Sequence, residues 1–188
     1  ICSKNISFIN QKNQLGTAHA VKQALPALRN NSISVVLYGD APLVQKSTLN
    51  KLIKSALKGD LSLLTFIKEN PTGYGRIIRG PKNAVHKITE HKDASIPEKE
   101  IKEVNSGILA IKSSLLRELI PSIKNNNAAK EYYLTDLVEI ANKNSVNVKA
   151  TICDSYEVGG ANDRQELHDL ERSYQKKAGE DLLKKGVS

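Results

Sequence analysis

The stretch Ser34-Val35-Val36-Leu37-Tyr38-Gly39-Asp40-Ala41-Pro42-Leu43 decides how this chain folds. Its first half is a continuous apolar run with β-branched residues, which is typical of a strand covered on both faces. Pro42 ends the strand pairing, because proline has no N–H to give to a neighbouring strand. Asp40 therefore follows directly after the carboxyl end of a predicted central strand.

Asp40 has two interpretations. In open α/β sheets, ligands bind outside the carboxyl ends of the strands. An acid at that position commonly holds a divalent metal against phosphate oxygens. Alternatively, Asp40 only caps a helix predicted near residues 46–58. The stretch by itself leaves both interpretations open.

Strand and helix patterns alternate on both sides of this strand. A short strand is predicted at 6–9, and apolar residues at helical spacing begin at Thr17, a fair N-cap, and run to about Leu28. A helix at 46–58 and a strand at 61–67 follow the central strand. This order indicates a mostly parallel sheet wrapped by helices.

The second half of the chain continues the α/β pattern and ends in a long helix. Strands are predicted at 77–79, 85–90, 104–111 and 146–152, and helices at about 113–124 and 131–143. From Asn162, a reasonable N-cap, to about Lys185 the sequence predicts a polar helix with a narrow apolar stripe.

Composition limits the class of partner. The 188 residues suffice for one domain with a small appendage, and the net charge of +8 suits an anionic ligand. The lysines are scattered, however, and no run interleaves basic with aromatic residues, so a lysine-coated surface is favoured over a nucleic-acid interface. No apolar run is long enough for a membrane helix, and no signal peptide is recognisable. Cys2 and Cys153 form no C-x-x-C motif, which favours a reduced, cytoplasmic compartment.

Familiar catalytic motifs are missing from the sequence. We find no Ser-His-Asp or Cys-His arrangement, no Walker A loop and no G-x-G-x-x-G fingerprint. The histidines have no metal-ligand spacing, and each is interpreted as a surface or core residue; they are His19, His86, His91 and His168. Thr72-Gly73-Tyr74-Gly75 alone predicts no more than a tight turn.

Several segments taken together carry a more specific signal. They are Gln11-x-x-Gln14-Leu15-Gly16-Thr17-Ala18-His19-Ala20, Leu37-Tyr38-Gly39-Asp40-Ala41-Pro42-Leu43, Pro71-Thr72-Gly73-Tyr74-Gly75-Arg76-Ile77, Glu90-His91-Lys92-Asp93-Ala94, Val104-Asn105-Ser106-Gly107-Ile108, Glu131-Tyr132-Tyr133-Leu134-Thr135-Asp136 and Glu157-Val158-x-Gly160-x-Asn162-x-Arg164. In order and spacing, the chain closely resembles the uridylyltransferase domain of the bacterial bifunctional N-acetylglucosamine-1-phosphate uridylyltransferase/glucosamine-1-phosphate acetyltransferase family.

The resemblance implies a fold and a reaction. The fold is α/β, with a Rossmann-like, mostly parallel sheet and helices on both faces, of the nucleotide-diphospho-sugar transferase type. The reaction makes UDP-N-acetylglucosamine and pyrophosphate from UTP and N-acetylglucosamine 1-phosphate with Mg²⁺, for cell-wall (peptidoglycan) and lipopolysaccharide precursors. Alternatives are another sugar-1-phosphate nucleotidyltransferase, or a non-catalytic module that binds a nucleotide sugar or nucleic acid.

The resemblance also implies roles for particular residues. Gln11 would bind the uracil edge, for which an amide that donates and accepts at once is suited. Asp40 and Asn162 would be the metal ligands and the catalytic residues. The remaining implied contacts are Gly16, Thr17, Tyr38 and Gly39 with the nucleotide, Gly75, Glu90 and Asn105 with the sugar, and Tyr133 and Thr135 near the acetyl pocket.

Two departures from the family pattern shape the expected domain organisation. The family's first strand and its glycine-rich loop, G-x-G-T-R-M, have no counterpart here, so residues 1–162 are expected to form a nucleotidyltransferase domain incomplete at its N-terminus. Residues 163–188 are expected to form a helix leading to a left-handed β-helix acetyltransferase domain that this sequence does not contain, through which the full-length protein would form a homotrimer. The isolated 188 residues are accordingly expected to be inactive.

Overall fold

The computed structural model describes residues 6–161 and 163–187. They form a sheet of six strands with helices packed against it. The strands are β1 (Ile33–Val36), β2 (Leu61–Ile67), β3 (Arg76–Arg79), β4 (Val85–Thr89), β5 (Glu103–Lys112) and β6 (Val148–Ile152). The helices are α1 (Thr17–Ala24), α2 (Lys46–Leu57), α3 (Ile96–Lys99), α4 (Ser113–Leu119), α5 (Asp136–Lys143) and α6 (Arg164–Lys184).

The long strand β5 organises the sheet. β1 and β2 both pair with it in antiparallel fashion, with Val36 and Leu63 each opposite Leu109. β2 also pairs with β6 in parallel, and β4 is joined to β5 through β3. β1, β2 and β6 therefore point the same way. The predicted Rossmann-like architecture is confirmed, but the sheet is mixed rather than mostly parallel, because β5 runs against its neighbours and β2–β6 is the one parallel pairing within the described residues.

Alternate side chains of β2 face two separate cores, as the pleat of a strand requires. Leu61 and Leu63 pack in the core that holds α4 and α5. Leu64 and Phe66 pack in the other core, together with Leu52 of α2. The sheet thus has helices on both faces, as predicted.

Some local predictions were wrong. Residues 6–9 form no strand, and Phe8 is 94% exposed. β1 is only partly covered and ends at Val36, so that Leu37 is 52% exposed: within the described residues β1 has β5 as its one strand partner. A groove of about 620 Å³ runs between this strand and α1.

The helix caps also differ from the predictions. Gly16, not Thr17, precedes α1 as its N-cap. α6 is capped by Asp163, whose carboxylate accepts the N–H of Glu166 at 2.8 Å, so the predicted Asn162 cap is wrong by one position. Asn162 itself lies outside the described residues, as does Cys2. Over residues 6–161 and 163–187, no helix combines the length and apolarity needed to cross a bilayer.

Candidate active site

Tyr38 lies at the centre of the candidate site, two residues beyond the end of β1. Its ring rests on the backbone of Gly107 in β5, where a Cβ atom would lie 2.1 Å from Tyr38 Cε2. Gly107 has φ +81°, a conformation that glycine adopts readily. Partial burial, followed by the negative charges of Glu90 and Asp40, raises the pKa of the Tyr38 hydroxyl. Both carboxylates are therefore near enough to Tyr38 to act on its hydroxyl.

The start of α1 is joined to the segment that precedes α5. The Ala18 N–H donates to the Tyr132 carbonyl at 2.9 Å, and the Tyr132 N–H donates to the Leu15 carbonyl at 2.8 Å. Gly16 has φ +112°, and a Cβ there would lie 2.6 Å from the Tyr132 oxygen, so only glycine fits. The hydroxyl of Thr17 accepts the Leu134 N–H at 3.0 Å instead of capping its own helix.

Gln11 is tied to this turn through its side-chain amide. Its Nε2 lies 3.2 Å from the Gly16 carbonyl and 2.9 Å from Nδ1 of His19. Both amide protons are thus used within the protein. In the described part of the chain, no hydrogen bond reaches Oε1 of Gln11, which leaves an acceptor and not the donor-plus-acceptor pair that the sequence suggested.

Polar groups from β5 and from the residues next to β3, β4 and α5 converge near Tyr38. The hydroxyl of Thr135 donates to Oε1 of Glu90 at 2.9 Å. Gly75 passes close to this carboxylate, since a Cβ would lie 3.4 Å from either of its oxygens. The Gly75 carbonyl accepts the backbone N–H of Asn105 at 2.9 Å. Tyr38, Asn105, Thr135 and Gly107 line one small cavity.

The region around Glu90 concentrates negative charge. Burial raises the pKa of Glu90, the hydrogen bond from Thr135 opposes that rise, and the charge of Asp93 adds to it. Burial and the charges of Glu139, Glu90 and Asp93 raise the pKa of Asp136 to about 6. The pKa of the nearby Tyr133 hydroxyl is also raised, first by its burial and then by Asp93, Glu90 and Glu131.

Asp40 is exposed and lies beside the segment that leads into α6. Its carbonyl accepts the Ala161 N–H at 3.2 Å, and a Cβ on Gly160 would lie 3.4 Å from Asp40 Oδ2. No salt bridge involves this carboxylate within residues 6–161 and 163–187. Asp40 does not cap α2, because Gln45 is the N-cap of that helix. The capping interpretation of Asp40 is therefore wrong.

The described residues nominated from the sequence thus lie at one end of the sheet. Thr17, Tyr38 and Gly39 line the groove beside β1, and Tyr38 also lines the cavity with Asn105 and Thr135. Asn162, the second nominated metal ligand, lies outside the described residues. No group of three or more His, Cys, Asp or Glu side chains in the described ranges is arranged to hold a metal.

Sequence reasoning missed several contributors. Gly107 supports the Tyr38 ring, Gly160 leaves room beside Asp40, and His19 engages Gln11. The two glycines stand inside the quoted motifs, so their position was available as a signal. Nothing in the sequence pattern indicated the contact between His19 and Gln11.

Comparison with known proteins identifies a family and similar proteins. Residues 2–169 match the sequence profile of the family described as "Nucleotidyl transferase". The "Bifunctional protein GlmU" of Francisella philomiragia is 44% identical over 189 residues, which cover 100% of this chain and 42% of that protein. The same protein of Francisella tularensis subsp. novicida is 44% identical over 186 residues, covering 98% and 41%. This chain therefore spans about two fifths of the length of these relatives.

A solved structure supports the fold independently. The crystal structure of UDP-glucose pyrophosphorylase complexed with UDP-glucose superposes with a TM-score of 0.71 at 15% sequence identity. The match covers 91% of this chain and 66% of that one. At this identity the likeness concerns the fold alone.

Proposed function

This chain belongs to the nucleotidyl transferase family, and from that premise we propose that its site transfers a uridylyl group from UTP to N-acetylglucosamine 1-phosphate, giving UDP-N-acetylglucosamine and pyrophosphate. The 44% identity to the GlmU proteins over the whole chain supports this choice of reaction. The observation that supports it is the position of Tyr38, whose ring rests on Gly107 and whose hydroxyl pKa is raised by burial and by the charges of both Glu90 and Asp40.

The reaction needs alignment more than acid–base catalysis. The nucleophile is a phosphate oxygen of the sugar phosphate, which is already anionic at neutral pH and has no proton to lose. That oxygen bonds to the α-phosphorus of UTP, and the bond from this phosphorus to the bridging oxygen breaks. Pyrophosphate leaves with the electron pair. The protein contributes by holding both substrates in line and by tolerating the charge that develops.

A divalent metal fits the Asp40 side of the site, and we propose that it is Mg²⁺. Mg²⁺ in phosphoryl-transfer sites is usually held by one or two carboxylates together with substrate phosphates. The exposed carboxylate of Asp40, which makes no salt bridge within residues 6–161 and 163–187, suits it. Gly160 keeps the space next to Asp40 Oδ2 free of a side chain. We assign Asn162 as the second ligand because its position matches that of a metal ligand in the family that the chain resembles. The metal would supply charge neutralisation at the phosphates.

The other residues divide between nucleotide and sugar. We assign Gln11, Gly16 and Thr17 to the nucleotide, with Tyr38 and Gly39 along its ribose and phosphates. We assign the sugar to the group around Glu90, in which Glu90 accepts hydrogen bonds from hydroxyl groups and Gly75 leaves space for the N-acetyl group. Asn105, Tyr133 and Thr135 complete that pocket.

Pyrophosphate release by the complete protein tests the proposal. UTP is supplied with N-acetylglucosamine 1-phosphate or with glucose 1-phosphate, with and without Mg²⁺. The proposal expects metal-dependent release that is faster with the N-acetylated sugar. Preference for glucose 1-phosphate would support a different sugar nucleotidyltransferase. Absence of release, combined with RNA binding that weakens steeply with salt, would replace the enzyme by a nucleic-acid-binding module.

The last helix, α6, bears on how the chain is divided into domains. We propose that the chain divides near residue 162 and that α6, which has no buried residue among those described, leads to a further domain. Assembly into a homotrimer, a cytoplasmic location and a part in peptidoglycan precursor synthesis remain proposals of the same kind.

A further inference from the structure

Three polar side chains form a hydrogen-bonded series at the start of α1. Nε2 of Gln11 lies 2.9 Å from Nδ1 of His19, and Nε2 of His19 lies 3.2 Å from Nε2 of Gln23. His19 and Gln23 stand one helical turn apart, so they share a face of α1. Gln11 belongs to the preceding loop and is a nominated nucleotide contact.

The Gly16 carbonyl determines which way the Gln11 amide points. A carbonyl only accepts, so the Gln11 atom 3.2 Å from it has to be the nitrogen. The same nitrogen lies against His19, and its second proton is directed to Nδ1. Nδ1 of His19 is therefore an acceptor.

This arrangement also determines the tautomer of His19. A neutral imidazole with Nδ1 accepting carries its proton on Nε2. That proton needs an acceptor. The structure places Nε2 of Gln23, a donor, 3.2 Å from Nε2 of His19, so the assigned tautomer requires the Gln23 amide to be turned over so that its Oε1 takes the place of Nε2. The series then runs in one direction, from Gln11 to His19 to Gln23.

We propose that His19 is a positioning residue that selects the base of the nucleotide by leaving Gln11 with an acceptor only. The inference rests on the proposed function, in which Gln11 faces the base. Oε1 of Gln11 can accept the N3–H of uracil. The unprotonated N3 of cytosine would instead meet an oxygen and be repelled. The contact with Gly16 alone would not exclude cytosine, because the second N–H of Gln11 would then be free to donate to cytosine N3. His19 removes that possibility by accepting this N–H.

Replacing His19 tests the idea through a ratio of rates. In the complete protein, kcat/KM for UTP and for CTP is measured by pyrophosphate release with saturating N-acetylglucosamine 1-phosphate. His19→Leu frees the second N–H of Gln11, and the UTP:CTP ratio should fall about tenfold or more. His19→Asn retains an acceptor oxygen near the position of Nδ1 and should restore most of the ratio. His168→Leu, on exposed α6, serves as the histidine control.

The outcomes separate this inference from the function beneath it. If the wild-type protein prefers UTP and His19→Leu slows both nucleotides equally, His19 has a structural role only and the inference is overturned. If the wild-type protein uses no UTP, the proposed function fails and the inference fails with it. Should His19→Leu not fold, Gln23→Leu carries the test, because without the Gln23 oxygen the His19 proton can move to Nδ1, which then no longer accepts and releases the second N–H of Gln11. An unchanged ratio in Gln23→Leu would also overturn the inference.

Discussion

The two regions that adjoin Tyr38, one around Glu90 and one around Asp40, are built in different ways. On the Glu90 side, the carboxylate is half-buried, accepts a hydrogen bond from Thr135 and lies close to Gly75. On the Asp40 side, the carboxylate is exposed, and the backbone carbonyl of this residue accepts the Ala161 N–H. The Glu90 carboxylate already has a hydrogen-bond donor within the protein. The oxygens of the exposed Asp40 carboxylate are available to a ligand, as far as the described residues show.

The difference follows from what each side would bind. A sugar is neutral and is recognised by hydrogen bonds of fixed direction, so its pocket benefits from groups that are already held in place. A metal requires oxygen ligands that are not committed to another partner. The comparison thus predicts that substitutions on the Asp40 side affect turnover without affecting the fold, and that substitutions around Tyr38 and Glu90 affect both.

The largest expected effect comes from Asp40→Ala in the complete protein. Turnover should fall about a thousandfold, since a metal supplies several kcal/mol of charge stabilisation and about 1.4 kcal/mol corresponds to tenfold in rate. The free energy of unfolding should change by no more than about 0.5 kcal/mol, because the side chain is exposed. Glu118→Gln, at an exposed carboxylate of α4, is the control for both measurements. Near-normal turnover in Asp40→Ala would remove Asp40 from the metal site.

The next effect concerns the support beneath Tyr38. Gly107→Ala should lower the free energy of unfolding by about 3 kcal/mol, as left-handed backbone strain and a collision with the ring add together. Gly59→Ala is the matched control: Gly59 has φ +98°, but nothing lies within 4 Å of a Cβ there. The Gly59→Ala variant should lose only about 1 kcal/mol of stability, which comes from backbone strain alone. Equal losses in urea denaturation would mean that Tyr38 does not rest on Gly107.

A smaller effect should appear in the pH dependence of stability. The folded pKa of Asp136 is raised from 3.8 to about 6, so the stability it contributes is fully present below pH 3.8 and is lost as the pH rises through 6. Asp136→Asn removes this loss. Relative to wild type, it should gain about 1 kcal/mol between pH 4 and pH 7.5, a value reduced by solvent screening of a half-exposed group. A constant difference across that range, measured by urea denaturation, would contradict the assigned pKa.

The smallest expected effect comes from Thr135→Val. The variant loses the hydroxyl that donates to Glu90, and the pKa of Glu90 should rise further because that hydrogen bond opposes the effect of burial. KM for N-acetylglucosamine 1-phosphate should increase about fivefold, the size of one hydrogen bond. Thr151→Val, in β6, is the control substitution. An unchanged KM would mean that Glu90 does not bind the sugar.

Much of this fold could be predicted from the sequence, for reasons visible in particular elements. β2 was predicted correctly at residues 61–67 because its apolar run is continuous and both faces are covered. β1 was predicted as equally covered, yet it is not, since the apolar run of Val35, Val36 and Leu37 does not reveal how many neighbours a strand has. The direction of β5 could not be predicted from the sequence either, because it depends on pairing with strands that are distant in sequence.

Site residues could be predicted where the residue type alone determines the chemistry. They could not be predicted where the chemistry depends on contacts between residues distant in sequence. Asp40 could be nominated from its place after a strand. The support of Tyr38 by Gly107 depends on two segments about seventy residues apart in sequence coming into contact. The state of the Gln11 amide depends on Gly16 and His19 together, and neither residue signals it on its own.

The account depends most on a metal bound at Asp40. We suggest crystallising the complete protein with UDP-N-acetylglucosamine and Mn²⁺ in place of Mg²⁺, and locating the metal by its anomalous scattering. The account predicts a peak about 2.2 Å from a carboxylate oxygen of Asp40, shared with the phosphates of the nucleotide. A bound nucleotide whose metal lies away from Asp40, or that has no metal at all, would contradict it.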